Sequence, residues 1–168
     1  MQKRFFLSLV AVFLCCIGVC QNDTYSNLED ALKNKESVKT LILKKQKLEN
    51  FPMEILELEN LERLDISRNY IKEIPKEISS LKKLHYLNAA QNYLTCLPKE
   101  MASMPIDTLI LWDNMIRAFD ESFIDSKIKY LDLRAIQMTR KEQKAILRLF
   151  PNAKVKKDHP CNCGGRKE

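Results

Sequence analysis

The stretch LERLDISRNYIKEIPKEI, Leu61–Ile78, decides the fold, because the next stretch repeats it place for place. LHYLNAAQNYLTCLPKEM, Leu84–Met101, carries apolar residues, an asparagine and a proline at the same positions. The same frame fits units that begin at Val38, Ile106 and Ile128, so the five starts are separated by 23, 23, 22 and 22 residues. A period of about 20–50 residues is the signature of a solenoid, in which each unit packs against its neighbours.

Each unit contains an L-x-L segment, which predicts a short strand with alternate side chains on one face. Strands stacked about 4.8 Å apart would turn their leucines inward as two continuous rungs. The first rung is Leu41, Leu64, Leu87, Leu109 and Leu131. The second rung is Leu43, Ile66, Ala89, Leu111 and Leu133.

A turn residue and a proline recur after the strand. A buried carboxamide offers two donors and an acceptor to backbone groups that lose their partners where a strand ends. We therefore assign a structural role in the turn to three asparagines, Asn69, Asn92 and Asn114. Gln46 and Ile136 replace the asparagine in the outermost units, which are often atypical because they cap the array. Pro52, Pro75 and Pro98 stiffen the return arc, where no sheet hydrogen bond is needed.

The frame L-x-x-L-x-L-x-x-N-x-L-x-x-L-P-x-x-I, over residues 38–150, resembles the leucine-rich repeat of the 23-residue type. The resemblance implies an α/β fold, a short curved solenoid of about five repeats. It also implies a non-catalytic module that binds a protein, or another macromolecule, through the concave face of the sheet. The chain looks like a small exported bacterial protein of this family.

Helical caps are predicted at both ends. Ser26-x-x-Glu29 and Thr139-x-x-Glu142 are capping boxes, and the second opens an amphipathic helix at 140–149 that we expect to cover the last edge of the sheet. The predicted organisation is a signal peptide at 1–20, an N-terminal cap at 21–37, repeats at 38–138, a C-terminal cap at 139–156 and a polar, cysteine-containing tail at 157–168.

The N-terminus predicts export. Lys3 and Arg4 precede Phe5–Cys20, which runs 16 residues without a charge, whereas a membrane span needs about 20 apolar residues. We interpret this segment as a signal peptide cleaved before Gln21, and a retained anchor is the alternative. After removal of the signal we expect no membrane span.

Lipidation is a further alternative. Ile17-Gly18-Val19-Cys20 resembles a bacterial lipobox, although Val19 stands where a smaller residue is expected. A lipid on Cys20, or links through the tail cysteines, would make the chain a structural or adhesive component of the cell envelope. Of the six cysteines, Cys96, Cys161 and Cys163 lie beyond the predicted signal, and this odd number leaves at least one thiol without an intramolecular partner.

Composition excludes several function classes. The three glycines are Gly18, Gly164 and Gly165, so no glycine-rich phosphate-binding loop lies between 21 and 163. Two histidines, His85 and His159, leave little for a catalytic triad or a histidine-rich metal site. We expect no catalytic residue, no cofactor and no metal.

The net charge and the spacing of the carboxylates exclude two further classes, nucleic-acid binding and glycoside hydrolysis. Loss of Lys3 and Arg4 would lower Lys+Arg from 28 to 26 against 22 acidic residues, so the net charge falls from +6 to +4. These charges are mixed along the chain, so we expect no nucleic-acid partner. We also expect a monomeric protein. Asp65 and Asp132 share a column three units apart, roughly 14 Å, which is too far for paired carboxylates of a glycosidase.

The residues between the inward leucines point to the opposite side of the sheet and form the predicted contact surface. Tyrosine, tryptophan and arginine are the usual anchors of protein interfaces. The candidate contact residues are Tyr86, Asn88, Ile110, Trp112, Tyr130, Asp132 and Arg134. Arg134 would pair with an acidic group of the partner or stack on Trp112. The alternative is that these aromatic side chains pack against a neighbour or a cap.

Overall fold

Residues 23–159 fold into one parallel sheet of seven strands in sequence order. The structure is a computed structural model and describes residues 23–159. The strands are β1 Thr24–Tyr25, β2 Thr40–Ile42, β3 Arg63–Asp65, β4 Tyr86–Asn88, β5 Thr108–Ile110, β6 Tyr130–Asp132 and β7 Lys154–Lys156. The predicted signal peptide, with Cys20, and the tail residues Cys161 and Cys163 lie outside the described residues.

The register confirms the predicted ladder. Leu64 of β3 pairs with Leu87 of β4, and Leu87 pairs with Leu109 of β5. All three side chains are fully buried. Each unit therefore presents the same apolar group to its neighbours, and the core is continuous from β2 to β6.

Short 3-10 helices form the return arcs at the back of the sheet. They are Lys35–Ser37, Met53–Glu57, Lys76–Ser80, Lys99–Ser103 and Glu121–Asp125. Three arcs begin directly after a proline, whose fixed φ suits the turn into the helix. Each arc from the second onward also buries one large apolar side chain, such as Ile78 or Phe123.

The asparagines join successive turns. The Asn92 amide nitrogen donates to the carbonyl oxygens of Ile66 and Ala89, at 3.0 and 3.1 Å, and its Oδ1 accepts from the Ile71 amide at 3.0 Å. Ile66 and Ile71 belong to the preceding unit, so one carboxamide links two units. Asn69 and Asn114 bond in the same way.

The C-terminal helix matches the prediction, whereas the N-terminal cap differs from it. Helix α2, Arg140–Leu149, begins with the predicted capping box of Thr139 and Glu142. Helix α1, Leu28–Lys33, is capped by Asn27, whose Oδ1 accepts from the Asp30 amide at 3.2 Å. The prediction that Ser26 caps this helix is therefore wrong by one residue.

Two strands extend the sheet beyond the predicted five. Strand β1 pairs with β2, and β7 pairs with β6. The last edge of the sheet is therefore β7, not a β6 covered by α2. Helix α2 packs instead on the arc Glu121–Asp125, where Phe150 meets Phe119 and Phe123 edge-on or tilted at 5.1 and 5.9 Å between ring centroids. No helix among residues 23–159 is long and apolar enough to cross a membrane.

Candidate partner-binding surface

The outward side chains of the strands form a surface of three columns, which we call the concave face. The first column is Thr40, Arg63, Tyr86, Thr108 and Tyr130. The second is Ile42, Asp65, Asn88, Ile110 and Asp132, continued by Lys156. The third follows the strands and contains Lys44, Ser67, Ala90, Trp112 and Arg134.

An apolar centre lies over β4 to β6. Ile110 and Trp112 alternate along one strand, and both side chains are half-buried. Thr108 lies between Tyr86 and Tyr130 in the first column. Its side chain is shorter than the two tyrosine rings on either side. The four apolar and aromatic side chains therefore lie on three neighbouring strands, with the smaller Thr108 between the two tyrosines.

A cation lies over each of the two tyrosine rings. The Arg63 guanidinium carbon is 4.0 Å from the Tyr86 ring centroid, and Lys156 Nζ is 5.6 Å from that of Tyr130. Such contacts contribute about 0.5–1 kcal/mol at exposed sites. Burial raises the pKa of the Tyr86 hydroxyl, and the charge of Asp65 adds to this while Arg63 opposes it. The Tyr86 hydroxyl therefore stays protonated and able to donate at neutral pH.

The polar residues of the second column support the backbone. Asp65 Oδ1 accepts from the Ser67 amide at 2.8 Å, and Asn88 Oδ1 accepts from the Ala90 amide at 3.2 Å. The Asn88 amide also donates to Asp65 Oδ2 at 3.0 Å. These two side chains thus hold the end of their own strands, and Asn88 has less freedom to contact a partner than its position suggests.

Asp132 differs from its assignment as a contact residue. Its exposed fraction is 2%, because Arg134 covers it with hydrogen bonds from Nε at 2.9 Å and from Nη2 at 2.7 Å. Burial alone would raise the pKa of Asp132, but the hydrogen bonds and charge of Arg134 outweigh burial and hold that pKa below its ordinary value. Arg134 therefore pairs within the chain, rather than with Trp112, and its half-exposed guanidinium edge is what faces solvent.

Two features of this surface were not predicted from the sequence. Arg63 and Lys156 lie over tyrosine rings of neighbouring strands, and this needs the register and the side-chain directions. The backbone role of the second column has a recurring signal, a carboxylate or carboxamide at the last residue of the strand, which accepts a hydrogen bond from the amide two residues later. Within residues 23–159 no cluster of three histidine, cysteine or acidic side chains has the geometry to hold a metal ion.

The leucine-rich repeat family model matches residues 36–94, the region of the first repeats. These residues therefore carry leucine-rich repeats. The solved structure of a leucine-rich repeat protein from Leptospira interrogans superposes with a TM-score of 0.70 at 28% identity, over 79% of this chain and 34% of that protein. No curated protein sequence matches the chain.

Two further solved structures share this fold. Internalin C2 of Listeria monocytogenes gives a TM-score of 0.62 at 22% identity, over 79% of this chain and 57% of the internalin. A plant ice-binding protein gives 0.56 at 25% identity, over 69% of this chain and 39% of its own length. The chain thus spans between about a third and somewhat over half of these proteins. Proteins with these repeats are typically non-catalytic and commonly mediate protein–protein recognition.

Proposed function

We propose that the protein is an exported, non-catalytic recognition module that binds a protein partner through the concave face over β4 to β6. The observation that carries this proposal is the apolar centre itself. Tyr86, Ile110, Trp112 and Tyr130 lie together on the one side of the sheet that the arcs leave uncovered. Large apolar groups gathered on an uncovered face are typical of protein interaction sites.

The chemistry of the surface favours a partner with a mixed apolar and polar contact. Trp112 and Ile110 supply apolar area, and buried aromatic side chains near the centre of an interface commonly contribute about 2 kcal/mol or more. The Tyr86 hydroxyl and the outer edge of Arg134 offer hydrogen-bond donors at the rim. A partner loop that places an apolar side chain over Thr108 and carbonyl or carboxylate oxygens beside it would satisfy both.

A photocrosslinking experiment tests the location of the contact. Photoreactive benzoylphenylalanine in place of Trp112 should yield a discrete cross-linked protein on cells of the source organism. The same group in place of Ile124, which is 54% exposed on an arc at the back of the solenoid, is the matched control. Equal capture from both positions, or capture from position 124 alone, would contradict binding through the concave face.

Export rests on the N-terminal sequence, with its basic start and uncharged run of 16 residues. Mass spectrometry of the mature N-terminus tests it. A free or cyclised Gln21 is expected for secretion, whereas a diacylated Cys20 would favour the envelope-anchored alternative. A chain that retains Met1 would contradict cleavage of the signal by either route.

A further inference from the structure

A second surface lies where the strands end and the chain turns towards the arcs, and we call it the turn edge. It contains the residue before each turn asparagine and the residue after it. In the middle units these are Arg68 and Tyr70, Gln91 and Tyr93, and Asp113 and Met115. Lys45 and Lys47 occupy the same places in the first unit.

Three large apolar side chains form an exposed row on this edge. Tyr70, Tyr93 and Met115 are 46%, 49% and 58% exposed, although each follows a buried asparagine. The rings of Tyr70 and Tyr93 are nearly parallel, at 17°, with centroids 6.1 Å apart. A row of this kind along three successive units is an apolar surface without a partner in the described chain.

The residues before the turn asparagines adopt a backbone conformation that favours glycine, yet none of them is glycine. Lys45, Arg68, Gln91 and Asp113 have φ of 61°, 59°, 54° and 58°. This left-handed conformation costs a non-glycine residue about 1 kcal/mol or more, which glycine would avoid. These four side chains are present in spite of that cost, and they line an open recess of about 600 Å³ together with the two tyrosines.

The charged side chains at the recess are mostly positive. Lys45, Lys47 and Arg68 are exposed and make no ion pair within residues 23–159. The one acidic side chain of the lining, Asp113, already accepts a hydrogen bond from the Gln91 amide at 3.2 Å. The uncompensated cations therefore gather at one end of the tyrosine row, where they complement an anionic occupant.

Two features favour an extended peptide as that occupant. The tyrosine spacing of 6.1 Å is close to the distance of about 6.6 Å between side chains i and i+2 of an extended chain. Gln91 Oε1 is also buried and accepts no hydrogen bond from any described residue. A peptide N–H is a donor that could meet such an acceptor.

We propose that the turn edge binds an extended, acidic segment of another protein. Alternate apolar side chains of that segment lie on Tyr70 and Tyr93, and its carboxylates pair with Arg68 and the first-unit lysines. This surface borders the third column of the concave face but consists of different residues, so it does not depend on the function proposed above.

The test is a selection from a phage-displayed library of random dodecapeptides on the folded, full-length protein. We expect enriched peptides with an acidic cluster next to apolar residues at alternate positions. Their affinity, measured by fluorescence anisotropy of the synthetic peptide, should fall at least tenfold in Arg68→Glu and in Tyr93→Ser. Lys127→Glu and Ile124→Ser, which make matched changes at exposed positions on the back, should leave that affinity unchanged.

Four outcomes would overturn the proposal. The first is a failure to enrich any acidic peptide, and the second is equal weakening by the control variants. The third is binding that is lost in Trp112→Ala but kept in both turn-edge variants, since this places the peptide on the concave face. The fourth is recognition on a glycan array of a sulfated or neutral sugar, abolished by Arg68→Glu, in the absence of any selected acidic peptide. Melting temperatures of all variants establish that the fold is intact.

Discussion

The inward and outward sides of the same short strands differ in how much their residues vary from unit to unit. On the inward side, the central residue of β2 to β6 is leucine every time and is fully buried. On the outward side, the first column changes from threonine to arginine, tyrosine, threonine and tyrosine. Each inward residue meets the same neighbour in every unit, so packing demands the same shape throughout. The outward residues meet no such demand, so their identity reflects what lies outside the chain.

The largest effect is expected for Leu87→Asp, on the inward side. This change removes a fully buried apolar side chain and places an unpaired charge between Leu64 and Leu109. The free energy of unfolding should fall by at least about 4 kcal/mol, a large part of the stability of a small domain. Urea denaturation followed by circular dichroism measures it. Thr95→Asp, an exposed control, should change stability by less than about 0.5 kcal/mol. Equal stability of Leu87→Asp and wild type would mean that the register is wrong.

The turn asparagines recur in successive units, as the inward leucines do, although they are polar. Asn92→Ala removes the donor to Ile66 O and Ala89 O and the acceptor for the Ile71 amide. We expect a loss of about 3 kcal/mol by the same denaturation method, because these backbone groups stay buried. Gln46→Ala, in the exposed first turn, should cost less than about 1 kcal/mol. Similar losses for both variants would show that the inner and outer turns do not differ.

Asp132 belongs to an outward column but is buried, as the inward residues are. Arg134→Gln leaves this buried carboxylate without its guanidinium partner, so stability at pH 7 should fall in urea denaturation, with the exposure of Arg134 reducing the effect.

The pH dependence gives a sharper test of the same pair. The pKa of Asp132 is lowered in the folded protein, so its contribution is present above the unfolded value of about 3.9 and is lost as the pH falls through the folded pKa. The stability gap between wild type and Arg134→Gln should therefore narrow between pH 5 and pH 2. The double variant Asp132→Asn, Arg134→Gln should lack that pH-dependent part when compared with Asp132→Asn. A gap that is constant over this range would contradict the ion pair.

A smaller effect is expected at the C-terminal cap, outside the repeats. Thr139→Ala removes the acceptor for the Glu142 amide at the start of α2, and a lost N-cap costs about 1 kcal/mol. Thermal unfolding compares it with Thr95→Ala, a threonine-to-alanine change at an exposed place in an arc connection. If the two variants melt together, the capping box contributes nothing to the stability of the solenoid.

The features that the sequence predicts correctly lie mostly on the inward, repeated side of the strands. The ladder, the turn asparagines and α2 are predictable, because each depends on a residue type repeated at a fixed spacing or on a local capping pattern. The pairing of β1 and β7 with the sheet is not predicted, since these strands join it through backbone hydrogen bonds and carry no L-x-L segment. The error at Ser26 has a local cause, because Asn27 is an equally good cap one residue later.

On the outward side the columns are predictable, but the contacts within them are not. The burial of Asp132 depends on the rotamer of Arg134, and the cation over Tyr86 depends on the direction of Arg63 across two strands. The left-handed residues of the turn are also missed, because the usual signal for that conformation is glycine and the repeats contain none.

The most direct test of the central claim is Trp112→Ala, for which we expect the smallest change in stability and a large change in binding. Because Trp112 is half-buried on the outward side, the free energy of unfolding should change by no more than roughly 0.5–1 kcal/mol. Affinity for the protein captured by photocrosslinking at this position should fall at least about tenfold, as expected for an aromatic anchor. The opposite result, a large fall in melting temperature with affinity intact, would mean that Trp112 belongs to the packing of the solenoid and that the concave face is not the contact surface.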